Sequence, residues 1–431
     1  MDVTSAARNA RTASTPLSSL SIEKRNAALA MIAESLNAEK EKIFAANAED
    51  VKAAEKEKLA APLLKRLYFG EEKLKGVTDG LYSLISLSDP IGITQSATEL
   101  MEGLKLYRVS CPIGVIGIIF ESRPDALVQI SSLCLKSGNA VLLKGGREAL
   151  RTNKAIADAI LIASEKAGLP DGWLSLMESR EDVSEMLKLD KYIDLIIPRG
   201  SNAFVRYIMD NSSIPVMGHA DGICNMYIDK SADLQMAVRL ITDAKTQNVA
   251  VCNAIENLIV HAGIADSLLP SVKEALEEKR VEIRGDSRVR EIISCKPADE
   301  SDWDTEYLDY IISITIVDSE AEAISFINAH GSRHTDAIVA SDSDAARLFT
   351  ERVDSAGVYV NVSTRFADGF VYGLGAEVGI STSKLHARGP VGMEGLCSYK
   401  YKLIGSGQCM EDVKSGKTPL MQKKLDESCP L

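Results

Sequence analysis

The stretch Gly114-Val-Ile-Gly-Ile-Ile-Phe120, followed by Ala126 to Lys136, the turn Ser137-Gly-Asn139 and Ala140-Val-Leu-Leu143, decides the fold. Seven apolar or glycine residues in a row read as a strand buried on both faces. The next segment carries apolar residues at helical spacing, and the Gly-Asn turn returns the chain to a second buried strand. That is a βαβ unit, and its strands must be parallel. A helix from about Arg151 to Ala167 and the apolar run Asp194-Leu-Ile-Ile197 extend the pattern. A second series begins after Asp221, with strands expected at 225–229, 257–261, 310–317, 336–340 and 357–361. The expected fold is therefore α/β, with Rossmann-like parallel sheets wound on both sides by helices.

Upstream, residues 20–80 have helical periodicity, and Leu104-Lys-Leu-Tyr-Arg-Val109 alternates like one arm of a hairpin. The first 20 residues, with Arg8 and Arg11 among Ser, Thr and Ala, faintly resemble a transit peptide but lack an apolar core. The tail beyond Gly405 is polar and is expected to be partly flexible.

A chain of 431 residues is long for a single core, so two or three domains are expected. The net charge of −12 argues against nucleic acid or an anionic membrane surface as partner. No apolar run nears the roughly 20 residues that span a bilayer. The eight cysteines are scattered, without C-x-x-C or zinc-ligand spacing, which reads as reduced thiols in the cytoplasm. His330-Gly-Ser-Arg-His334 invites a metal reading, but its Gly and Ser suggest a turn in which the rings need not converge; no metal is expected.

Two turns suit phosphate. Pro198-Arg199-Gly200-Ser201 and Lys144-Gly-Gly-Arg147 each link a strand to a helix, where backbone N–H groups and a cation meet an anion. Ordinary βα turns look the same. The usual G-x-G-x-x-G is missing; Gly373-Leu-Gly375-Ala-Glu-Val-Gly379 is one residue too long. Among the cysteines, Cys252 differs because it sits on a short polar segment between a helix and a strand. Lys245, Thr246, Gln247 and Asn248 precede it, and a nearby cation favours thiolate. His261 is too far along a strand to be an obvious base.

Longer motifs carry a resemblance. Pro112-Ile-Gly-Val-Ile-Gly117, Phe120-Glu-Ser-Arg-Pro124, Asp194 to Gly200, Lys245 to Asn253, Ser332 to Ile338, Val360 to Phe366, Gly373 to Thr382 and His386 to Pro390 occur together in this order. In them the chain resembles the γ-glutamyl phosphate reductase family of the aldehyde dehydrogenase superfamily, from near residue 5 to about Gln408. The resemblance implies an NADPH-binding domain (1–91 and 111–221), a catalytic domain (222–395) and oligomerisation strands (92–110 and 396–408). In that scheme the hairpin pairs with strand 398–404 of a neighbouring subunit, and 409–431 is a flexible tail.

The implied reaction is NADPH-dependent reduction of L-glutamyl 5-phosphate to L-glutamate 5-semialdehyde through a thioester on Cys252, a step of proline biosynthesis. By resemblance, Lys144 approaches the adenosine ribose, Arg199, Gly200 and Ser201 the pyrophosphate, and Glu306 the nicotinamide ribose. Arg147 stands where NAD-using relatives carry glutamate, and a cation there suits a 2′-phosphate. Ser122 replaces the superfamily's oxyanion asparagine, leaving more of that work to backbone N–H groups near Cys252. The superfamily's general-base glutamate falls near Gly218-His219, which has no carboxylate, so phosphate rather than water is expected to exchange with the thioester. Arg123 suits the acyl phosphate, and Asn361, Ser363 and Arg365 suit the rest of the substrate.

A homo-oligomer is implied, and so is a transient complex with the glutamate 5-kinase that would supply the acyl phosphate. The rival readings are a hydrolytic aldehyde dehydrogenase and a non-catalytic interaction protein that retains the fold. A cysteine hydrolase lacks a recognisable histidine partner in the sequence.

Overall fold

The computed structural model describes residues 2–431 apart from 60, 179, 180, 220, 376 and 417. The chain forms two compact units, 1–217 with 391–431 and 218–390.

The first unit opens with five helices: α1 (Val3–Ser18), α2 (Ile22–Ala38), α3 (Lys40–Lys56), α4 (Ala61–Leu67) and α5 (Glu71–Ser86). The first of them is part of the packed fold. Asp2 caps α1 by accepting from the Ser5 N–H, and Ala6, Ala7, Ala10, Ala13 and Leu17 form one buried stripe. Arg11 pairs with Asp194 at 2.8 Å. Small alanines let α1 pack closely, so its low apolar content hid a buried face.

The hairpin β1 (Thr94–Met101) and β2 (Leu104–Pro112) follows, and then a parallel sheet. Its strands are β3 (Val115–Phe120), β4 (Ala140–Gly145), β5 (Leu174–Met177) and β6 (Leu195–Arg199), in the order β5-β4-β3-β6. The helices between and after them are α6 (Pro124–Lys136), α7 (Leu150–Lys166), α8 (Glu181–Met186) and α9 (Asn202–Asn211). Every residue of β3 and β4 is buried, as the unbroken apolar runs require. Strand order reverses between β3 and β6, so the turns that leave these strands flank a topological switch point, the usual ligand position in open α/β sheets.

The second unit holds a seven-stranded sheet in which every pairing is parallel. Its elements in chain order are β7 (Cys224–Ile228), α10 (Leu234–Thr246), β8 (Ile255–His261), α11 (Ala262–Glu278), β9 (Glu282–Gly285), α12 (Ser287–Ile292), β10 (Lys296–Pro297), β11 (Ile311–Val317), α13 (Glu320–His330), β12 (Thr335–Val339), α14 (Ser343–Arg352) and β13 (Gly357–Val360). The spatial order is β10-β9-β11-β8-β7-β12-β13. Short strands β14 (Gly379–Ser381) and β15 (Gly389–Val391) pair with each other. A polar chain crosses the middle of the large sheet: Ser355 donates to Asp336, which accepts from Asn225, whose Oδ1 accepts from Asn257 at 3.0 Å. Such a chain can bond fully in only one register.

The chain then returns to the first unit through β16 (Cys397–Ile404), α15 (Met410–Lys414) and β17 (Lys423–Leu425). Strand β16 pairs with β2 of its own chain, from Cys397 opposite Pro112 to Ile404 opposite Lys105. The tail is not loose, because β17 adds to the free edge of β1 and completes the order β16-β2-β1-β17. Glu427 binds Lys105 at 3.0 Å and accepts from the Tyr107 hydroxyl. Polarity misled the reading: an edge strand needs only backbone groups and one partly buried face.

Candidate active site

Cys252 lies in the turn between α10 and β8, at the amino end of the sheet of the second unit. Asp233 caps α10 by accepting from the Met236 N–H, which fixes where the helix starts, and the turn opens one residue beyond its end, at Gln247. The Cys224 thiol donates to the Cys252 carbonyl at 3.1 Å, and the Thr364 hydroxyl donates to the Asn253 carbonyl at 2.7 Å. The Asn253 amide in turn donates to the Ala367 carbonyl at 3.0 Å. The turn is thus tied to β7 and to the loop after β13, which preorganises its one half-buried thiol.

Two imidazoles surround that thiol. His219 precedes β7 and His334 precedes β12, the strands that flank one another beside β8. The thiol and one nitrogen of each ring all lie within 4.8 Å of one another. The rings meet edge to face, with centroids 4.9 Å apart. His219 Nδ1 lies 2.9 Å from the Ile380 carbonyl, so it carries the proton and Nε2 carries the lone pair. His334 is fully buried, and burial and the His219 ring hold it neutral, well below the usual imidazole range. Its Nδ1 contacts the Thr335 hydroxyl at 3.0 Å, while its Nε2 is buried with no hydrogen-bond partner.

The cation beside Cys252 is not the one nearest in sequence. Lys245 is fully buried and pairs with Glu256 at 2.5 Å. Burial pushes the Glu256 carboxyl up to about 7 and the Lys245 amine down. Arg365 is the charge within electrostatic reach of Cys252, and its Nε donates to Gln247 Oε1 at 2.9 Å. Half-burial lowers its guanidinium somewhat, with Cys252 acting the other way.

Of the other residues expected on substrate, Ser363 caps the 3₁₀ turn that carries Arg365, accepting from its N–H at 3.3 Å. The Asn361 amide nitrogen donates to the Ala340 carbonyl at 2.8 Å, and its Oδ1 accepts from the Ala340 N–H at 2.9 Å. Both ends of that side chain hold β12 to the loop after β13. Arg123, in the first unit, pairs with Asp125 at 3.3 Å, the strand-end alternative to a substrate role.

The residues expected on cofactor are in the first unit, except Glu306, which follows the 3₁₀ turn Glu300–Asp304 in the second. Gly200 and Ser201 leave β6 and start α9, and the Ser201 N–H donates to Glu121 at 3.0 Å. A Cβ at Gly200 would lie 2.5 Å from that same carboxylate. An anion therefore already rests on this helix start, held there by β3 next door. Arg199 adds charge at the end of β6. Ser122, with φ +46°, donates through its N–H and its hydroxyl to Glu148 at 2.6 and 2.7 Å. That carboxylate engages both donors and locks the loop that leaves β3. Lys144 is buried at the end of β4 with its ammonium 2.5 Å from the Gly145 carbonyl. Arg147 is 85% exposed and reaches Glu57 at 3.4 Å.

His219, His334, Cys224 and Gly222 were not expected at the site. In the sequence Gly218-His219 marks only the lack of a carboxylate, whereas the structure sets the His219 imidazole there beside the thiol. His330 does not join it, lying 3.0 Å from Asp304.

Known proteins share this fold. Residues 1–301 match the aldehyde dehydrogenase family. The chain is 57% identical over 431 residues to γ-glutamyl phosphate reductase of Acetivibrio thermocellus, covering 100% of each. The crystal structure of γ-glutamyl phosphate reductase from Thermotoga maritima superposes with a TM-score of 0.93 at 40% identity, covering 95% of this chain and 100% of that one. An engineered glycolyl-CoA reductase with bound NADP+ shares the fold at 15% identity, with a TM-score of 0.63 over 94% of this chain and 97% of that one.

Proposed function

This chain belongs to the aldehyde dehydrogenase family, and within it to the γ-glutamyl phosphate reductases; from that membership we propose that it reduces L-glutamyl 5-phosphate to L-glutamate 5-semialdehyde through a thioester on Cys252. The observation that carries the reading is a half-buried thiol held in a braced turn with a guanidinium in electrostatic reach. A cation at that position favours the thiolate and draws an anionic substrate.

The thiolate attacks the γ-carbonyl, the C–O bond to phosphate breaks, and phosphate leaves with that electron pair. Backbone N–H groups of the Cys252 turn face the developing oxyanion. Arg365 and Ser363 bind the substrate's α-carboxylate, and Arg123 its phosphate. When bound, the nicotinamide cofactor supplies the hydride that converts the thioester to a thiohemiacetal, which collapses to the semialdehyde and frees Cys252.

NADPH is the proposed cofactor. The helix start at Ser201 already accommodates the Glu121 carboxylate, so its N–H groups fit a pyrophosphate once that carboxylate withdraws. Arg199 and Gly200 line the same turn, and Lys144 with exposed Arg147 suits an adenosine ribose bearing a 2′-phosphate. Glu306 binds the nicotinamide ribose. Exposed Tyr399, Tyr401 and Leu403 on β16 support a homo-oligomer. The acyl phosphate comes from a separate glutamate 5-kinase in the cytoplasm, through a transient complex.

A second reading has one observation behind it. The His219 imidazole beside Cys252 is a base that could activate water against the thioester and give free acid. Both outcomes are separated by measuring NADP+ reduction by the semialdehyde with and without phosphate. Phosphate-dependent turnover that disappears in Cys252→Ala is expected. Full turnover in phosphate-free buffer would favour hydrolysis, and activity surviving in Cys252→Ala would remove the thioester altogether.

A further inference from the structure

We propose that Cys252, His219 and His334 form a binding site for one thiophilic divalent cation of the zinc class, and that the cation, once bound, withholds the nucleophile from the reaction. The donor set is one thiol and two imidazoles whose ligand atoms lie within 4.8 Å of one another. A tetrahedral zinc ion with such ligands needs donor separations of roughly 3.3–3.6 Å. Rotations of about an ångström therefore close the site.

The rings are oriented as ligating histidines usually are. His219 gives its Nδ1 proton to the Ile380 carbonyl at 2.9 Å, which leaves the lone pair on Nε2. His334 turns Nδ1 toward the Thr335 hydroxyl at 3.0 Å and the Cys224 sulfur at 3.6 Å. Its Nε2 is buried and has no hydrogen-bond partner. An unsatisfied buried nitrogen is destabilising, and a ligand there relieves it.

On binding, the Cys252 S–H bond breaks, its proton passes to solvent, and a metal–sulfur bond forms; nothing is oxidised or reduced. Two imidazole lone pairs and a water complete four-coordination. Arg365 nearby opposes a dication, and among the described residues no carboxylate joins the three ligands to offset it. Binding is therefore reversible and releasable by a chelator, unlike the closed four-ligand sites that fold around their metal. The site itself does not depend on the proposed reaction, but its effect on turnover rests on Cys252 being the nucleophile.

The test titrates the metal-free full-length enzyme with Co²⁺ and then with Zn²⁺. The expected result is one equivalent of cobalt with a thiolate-to-cobalt charge-transfer band, displaced by zinc, and zinc protection of Cys252 from iodoacetamide. Cys252→Ser should remove the band, and His219→Asn should weaken binding at least about tenfold. His334→Gln should do the same; His219→Asn carries the test if that buried substitution prevents folding. Cobalt bound without the band, or equal zinc protection in wild type and His219→Asn, would overturn the site. Zinc captured by the three residues with turnover unchanged would uphold the site and sink the nucleophile assignment instead.

Discussion

A side chain on Gly222 would begin inside Cys252: a Cβ at residue 222 lies 2.4 Å from the Cys252 carbonyl oxygen and 2.5 Å from its Cα and Cβ. All three neighbours are backbone or near-backbone atoms, so no rotamer change relieves the clash. Gly222→Ala should therefore shift the Cys252 turn while leaving the sheet intact. A displacement of about an ångström at a reacting atom can lower the rate on the order of 100-fold. The check is kcat/KM for the semialdehyde beside the far-ultraviolet circular dichroism spectrum. Unchanged kcat/KM would mean that the turn accommodates a methyl group and that its placement is not critical.

Arg147 and Glu57 are both mostly exposed, at 85% and 67%, and stand 3.4 Å apart. An exposed pair of this kind contributes little to stability, so the guanidinium is easily recruited by a ligand. Arg147→Ala should raise KM for NADPH roughly 10- to 100-fold, matching the 1.5–3 kcal/mol of a hydrogen bond to a charged group, and leave use of NADH nearly unaltered. Glu57→Gln should shift KM for NADPH the other way. Equal effects on both cofactors in Arg147→Ala would assign Arg147 to general attraction instead of the 2′-phosphate.

The parallel sheets were legible because buried strands such as Val115–Phe120 are continuous apolar runs and their helices have a different period. Cys252 stood out because it lies on a polar turn. The imidazoles beside it did not, since His219 and His334 are 33 and 82 residues away and become neighbours only through the strand order β8-β7-β12. Local spacing carries no record of which strands pair. The same limit misassigned the cation: Lys245 is near Cys252 in sequence, yet its ammonium is held by Glu256, and Arg365 arrives from beyond β13.

The Lys245–Glu256 pair predicts how stability responds to both mutation and pH. Lys245→Met should destabilise the second unit by about 3–5 kcal/mol, because it leaves a buried carboxyl without its partner. Lys245→Met with Glu256→Leu should recover most of that loss. Burial raises Glu256 from 4.5 to about 7 in the folded state, so the folded chain holds a proton that the unfolded chain has released. Its contribution is fully present below about 4.5 and is lost as pH rises through about 7, with a slope of at most about 1.4 kcal/mol per pH unit. Urea titrations of Trp173→Phe, in which buried Trp303 reports on the second unit, measure this. An identical pH profile in the double variant would assign the dependence to other groups.

Strand β17 covers the outer edge of β1 with Ala97 opposite Leu425, Thr98 opposite Lys424 and Glu99 opposite Lys423. Beyond it, the Cys429 N–H donates to the Thr94 hydroxyl at 2.8 Å, and Glu427 binds Lys105 and Tyr107. Removing residues 423–431 uncovers a row of unpaired backbone groups on β1, the kind of edge that recruits another chain. The truncated protein should keep its cofactor affinity, because the β3–β6 turns are untouched, but it should self-associate at concentrations where the full chain does not. Light scattering and NADPH titration on the same samples measure the two effects separately. If scattering is unchanged, another segment covers β1 in solution; if NADPH affinity falls as well, the tail reaches the cofactor turns.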